Sequence, residues 1–106
     1  GDAPDSLAPS AAAEAPEQVI RSPFRDALDQ IAAEANLTAT EGTILGLIAR
    51  GHNAESVRKT LLVSVNTAKT HIRNIYAKLG VHSQQELIAL VEATKREVLE
   101  SYNRPE

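Results

Sequence analysis

Five short polar residues, each standing ahead of an apolar period of helical spacing, divide this chain into helices and leave little room for a strand. Ser22 precedes Pro23, whose fixed φ and missing N–H suit a first helical position. Phe24, Leu28, Ile31 and Ala35 follow at helical spacing, which predicts a helix over about residues 23–35. Thr38 and Glu41 have the spacing of a capping box, in which hydroxyl and carboxylate each accept the other residue's amide. They open a helix with Ile44, Leu45 and Ile48 as its buried stripe and Gly51 as its stop. Asn53 caps a short helix over 54–61 with Val57 and Leu61 inward, and Leu62 and Val63 make a turn. Ser64 caps the next helix, whose apolar stripe is Ala68, Ile72, Ile75 and Leu79 and which Gly80 ends. Ser83 and Glu86 repeat the capping-box spacing ahead of a helix reaching about Glu100. Its apolar positions are Leu87, Ile88, Leu90, Val91, Val98 and Leu99. The expected fold class is all-α.

The helices carry few aromatics, 3% of the chain, so the core must be built from Leu, Ile, Val and Ala. The absence of Cys excludes a disulfide framework, a thiolate metal site and a thiol nucleophile. No apolar run approaches the roughly 18–20 residues of a membrane span, and no signal-peptide pattern appears. Residues 1–21 are rich in Ala, Pro, Ser and acid without a sustained apolar period. They are expected to be a disordered linker belonging to a longer protein. Residues 22–102 are expected to form the domain, and 103–106 a flexible tail.

The formal net charge of −3 argues at first against a nucleic-acid partner. The charge is uneven, however. Residues 1–36 hold two basic and seven acidic residues, whereas 37–93 hold six basic and four acidic. Between residues 54 and 82, Arg58, Lys59, Lys69, Arg73 and Lys78 stand against Glu55 alone. The whole-chain value therefore hides a basic patch.

A short helix, a tight turn and a longer helix with a polar outer face is the helix-turn-helix arrangement. Its second helix must pack on the core by one face and reach base edges in a major groove by the other. Ala68, Ile72, Ile75 and Leu79 serve the first demand. Asn66, Lys69, Thr70 and Arg73 serve the second, with Asn74 and Lys78 flanking them.

The patterns L-T-x-x-E, I-L-x-L-I-A-x-G and S-x-N-T-x-K-T-H-x-R-N-I-Y-x-K-L-G-V, spread over residues 37–93, resemble the LuxR/FixJ-type DNA-binding domain. The preceding amphipathic helix and AKLGVHSQQELI further resemble a subgroup in which this domain follows a multi-span membrane sensor. The resemblance implies a four-helix domain with an additional N-terminal helix. It also implies a cytoplasmic bacterial transcription regulator's output domain that binds double-stranded DNA without cofactor, metal, small-molecule ligand or membrane contact of its own. It places Lys69, Thr70 and Arg73 where base edges are contacted, and Asn66, Thr67, Asn74 and Lys78 where phosphates are held. Arg and Lys suit guanine O6 and N7, and Thr suits a thymine methyl or a phosphate. The family usually pairs through its last helix, which makes Ile88 and Leu90 the candidates for a weak homodimer on DNA. The sequence departs from the family pattern at Thr40 and Gly42 (usually Arg), Glu55 (often Lys), Ser56 (usually Glu), Arg58 (usually small) and Gln84 (often Arg).

Taken singly, Lys69, Thr70 and Arg73 would read as an ordinary solvated helix face; the surrounding pattern turns them into DNA ligands. His52, His71 and His82 fit no compact metal-ligand spacing, and no catalytic pair, phosphate loop or nucleophile elbow accompanies them. No enzyme is expected. The competing expectation is a helical protein-interaction module that uses the same surface or the last helix.

Overall fold

The computed structural model describes residues 22–104, so the expected linker over 1–21 and the last two residues of the expected tail lie outside the described residues. The five cap residues start five helices: α1 Pro23–Glu34, α2 Ala39–Ala49, α3 Ala54–Leu61, α4 Val65–Leu79 and α5 Gln84–Tyr102. No strand occurs among the described residues. Each N-cap side chain accepts the amide three residues on: Ser22 from Arg25, Thr38 from Glu41, Asn53 from Ser56, Ser64 from Thr67 and Ser83 from Glu86. These bonds satisfy amides that the helix cannot pair internally.

Only one of the two expected capping boxes closes. Glu41 returns its carboxylate to the Thr38 amide at 3.0 Å. Glu86 instead takes the amide of His82 at 2.8 Å, one residue further out. It still removes an orphan donor ahead of α5, so the helix start survives the change of partner. Helix ends differ slightly from the sequence reading: α1 stops at Glu34, and α5 runs two residues past Glu100. Gly80 has φ 72° at the α4 C-terminus and Gly51 has φ 99° after α2, where a side chain would be strained. Leu62 also lies in the left-handed region, at φ 60° and ψ 47°, without being glycine.

The core is aliphatic, as the shortage of aromatics requires. Ile44, Leu45 and Ile48 of α2, Val57 of α3, Ala68 and Ile75 of α4, and Leu87 and Val91 of α5 are all at most 1% exposed. Each large aliphatic side chain so buried contributes about 1.5–3 kcal/mol. Leu61, Ile72, Leu79 and Leu90 are half-buried around this centre. Gln84 uses its side-chain amide to join two elements: Nε2 donates to the carbonyls of Ile48 and His52, at 3.1 and 3.0 Å. The residue that departs from the family pattern thus closes the C-terminal end of α2 against the start of α5.

Helix α1 packs most extensively on α5. Its Asp26 accepts a hydrogen bond from Tyr102, near the α5 C-terminus. At its other end Ile31, Glu34 and Ala35 share a small concavity with Leu90 and Thr94, so the two helices run antiparallel. Ala27, Leu28 and Ile31 are the buried side of α1. Phe24 is only half-buried and lies under the Arg50 guanidinium, 5.0 Å from its ring centroid.

Candidate nucleic-acid interface

Two faces of α4 have opposite fates. Ala68 and Ile75 are fully buried, while Val65, Asn66, Thr67, Lys69, Thr70, Arg73, Asn74 and Lys78 are exposed. Successive residues on a helix turn by 100°, so the exposed set divides into stripes. Asn66, Thr70 and Arg73 form the outermost stripe, with Lys69 one turn ahead of Arg73. Thr67, His71, Asn74 and Lys78 form another on the flank.

The cations on the two stripes are not equivalent. Among the described residues neither Lys69 nor Arg73 has a hydrogen-bond or ion-pair partner. Lys78 is held: its Nζ lies 2.8 Å from Oε1 of Glu41 across the α2–α4 packing. That contact gives Lys78 a partner within the fold in addition to the phosphate role expected for it. The Lys78 hydrogen bond, followed by the Thr38 amide, holds the Glu41 carboxyl below the usual carboxylate range despite its burial.

The basic patch expected from the sequence is also smaller than the residue count. Arg58 donates to Glu55 at 2.8 Å, and Lys59 lies 4.0 Å from the same carboxylate. Arg58 pairs along its own helix with Glu55, and this hydrogen bond holds the Glu55 carboxyl below its ordinary range. Among the described residues Lys69 and Arg73 are the cations of the helix-turn-helix without a carboxylate partner, while Arg58 and Lys59 share one.

Beside these two residues the surface is concave. A cavity of about 780 Å³ runs along α4, with Ile48, Ile72 and Tyr76 on its floor and Lys69, Arg73 and His52 around it. Asn53 and Ala54, at the start of α3, border it too. Tyr76 was not singled out by sequence, because in the pattern it reads as one more apolar position. Burial pushes its phenol pKa up, so at neutral pH it remains an O–H donor beside the two cations. Thr67 has a local task as well: its hydroxyl accepts from Ser64 Oγ at 3.0 Å, which reinforces the cap of α4.

The two expected pairing residues do not share a surface. Ile88 and Leu90, two positions apart, lie on opposite flanks of the buried Leu87–Val91 line. Leu90 faces the end of α1, whereas Ile88 lies on the flank that carries Leu99, 42% exposed.

Among the described residues no group of three or more His, Asp or Glu side chains is placed to hold a metal ion. No described helix is long and apolar enough to cross a membrane. No solved structure matches the chain significantly. The sequence profile of GerE, bacterial regulatory proteins of the luxR family, matches residues 35–91, more than half of the chain. The match takes in α2, α3, α4 and the start of α5 up to Val91, and leaves α1 outside.

Proposed function

Because the chain belongs to the luxR family of bacterial regulatory proteins, whose helix-turn-helix domains bind DNA to regulate transcription and are not enzymes, we propose that α4 is a recognition helix that reads duplex sequence in the major groove. The observation that carries this reading is the lone pair of unpartnered cations, Lys69 and Arg73, on the outer face of a helix whose other face is core. Of the other basic groups on α3 and α4, Lys78 has Glu41 to itself, and Arg58 and Lys59 share Glu55. Lys69, Thr70 and Arg73 contact base edges, Arg73 and Lys69 by donating to guanine O6 and N7. Asn66, Thr67 and Asn74 flank them and hold phosphates. Lys78 orients α4 through Glu41, and its remaining N–H groups, on a side chain 38% exposed, hold a phosphate as well.

The competing reading, a protein-interaction module, fits this face less well. Protein interfaces draw on buried aromatic and apolar anchors, and the centre of this face is Asn, Thr, Lys and Arg. Pairing of two copies on adjacent half-sites uses the Ile88–Leu99 flank of α5, since Leu90 lies against α1. The domain acts in the cytoplasm.

Selection from a pool of random duplexes tests the reading. Recovery of a shared sequence, with Lys69→Ala recovering none or a relaxed one, is expected. Failure to enrich any sequence while the protein remains folded and binds DNA in bulk would overturn sequence-specific recognition.

A further inference from the structure

At the turn into α4 one apolar side chain stands in water and a second is partly exposed. Leu62 is 89% exposed and Val65, the first residue of α4, is 36% exposed. The placement of Leu62 does not serve the fold. Leu62 occupies a left-handed backbone position that glycine would take without strain, and its solvated side chain gains no packing in return. Val65 is β-branched at an exposed helical position, where Glu or Ala would be the better helix former. The Ser64 cap between them starts α4 whatever flanks it.

Their position supplies a use. Val65 stands one turn before Lys69 on the same side of α4, and the N-terminal residues of a recognition helix are the ones that meet base edges. In a major groove the one apolar group that a base pair presents is the C5-methyl of thymine. We propose that Leu62 and Val65 form an apolar leading edge of the recognition helix that reads thymine methyl groups, next to the bases contacted by Lys69 and Arg73. This rests on the DNA reading above and adds to it a specificity residue and the chemistry of what it selects. Val65 is the primary reader; Leu62, on the turn, covers the neighbouring base or its sugar edge.

The test replaces thymine by deoxyuridine, one position at a time, in a duplex recovered from the random pool. The exchange removes only the methyl group and leaves base pairing and charge intact. At one thymine or more the parent protein is expected to lose about fourfold in affinity, the effect of exposing one methyl-sized group. Val65→Ala is expected to bind the unmodified duplex about fourfold more weakly and to be indifferent to the exchange at that position. Should Val65→Ala unfold, Val65→Gln serves with the same expectation. Indifference of the parent to every exchange overturns the proposal. So does full sensitivity at every thymine in the Val65 variant, or sensitivity abolished by Thr70→Ser and not by Val65→Ala. If no duplex is enriched from the pool, the DNA reading itself fails. An enriched duplex without methyl dependence removes this inference alone.

Discussion

Lys78 near the end of α4 and Glu41 in the first turn of α2 are joined at 2.8 Å, the ammonium 38% exposed and the carboxylate side chain 7%. Glu41 is thereby doubly employed. It caps its own helix through the Thr38 amide and fixes the angle of α4 through Lys78. The helix that carries Lys69 and Arg73 is held at its far end by an ion pair, and at its near end by the Ser64 cap.

Replacing Lys78 by Met should therefore destabilise the fold, by about 2 kcal/mol for a charge-assisted hydrogen bond to a buried carboxylate. Urea unfolding checks this. An unchanged midpoint would mean that the pair forms no part of the folded state's stability.

The same pair predicts a pH dependence. The folded-state pKa of Glu41 is lowered, chiefly by Lys78. Its stabilising effect is therefore complete above the ordinary Glu value of about 4.3 and is lost as pH falls through the folded value. Stability of the parent should decline on acidification below about pH 4.3, and more steeply than that of Lys78→Met. Parallel declines in the two proteins would contradict the assignment.

Leu62→Gly should stabilise the protein. Relief of the left-handed backbone gains roughly 1–2 kcal/mol, and the greater freedom of glycine in the unfolded chain takes back roughly 0.5–1 kcal/mol. A net gain of about 0.5–1 kcal/mol is expected in thermal or urea unfolding. A loss would show that the Leu62 side chain packs.

The docking of α1 rests on its α5 contacts more than on its single aromatic. Phe24→Ala should cost less than the roughly 3–5 kcal/mol of a fully buried Phe, about 1–2 kcal/mol. Tyr102→Phe, which removes the bond to Asp26, should lower amide protection in α1 while leaving α4 protected. Uniform loss of protection through α4 would mean that α1 and the helix-turn-helix unfold as one unit.

Much of the fold was legible because its signals are local. Ser22, Thr38, Asn53, Ser64 and Ser83 each cap the helix they were expected to cap, and the Ile44–Leu45–Ile48 stripe is core. Partnerships across the chain were not legible. Glu86 has the spacing to return to Ser83, yet takes His82, because a carboxylate on two flexible bonds reaches either amide. The partner of Lys78 was hidden because nothing in its neighbourhood announces Glu41, 37 residues earlier. Leu90 and Ile88 were alternative edges of the apolar run in sequence, and only the packing of α1 near Leu90 distinguishes the two. The exposed polar stripe of α4 was visible from spacing alone, whereas the pairing of Arg58 and Lys59 with one Glu55 carboxylate depends on rotamers.

The central claim is that the unpartnered cations of α4 read base edges. It is tested most directly by the affinity of Arg73→Ala for a selected duplex and for a random one, each at two salt concentrations. The variant should keep the parent's melting temperature and lose about 1–3 kcal/mol on the selected duplex, with a smaller loss on the random one. A folded Arg73→Ala that binds the selected duplex as tightly as the parent, or loses equally on both, would contradict it.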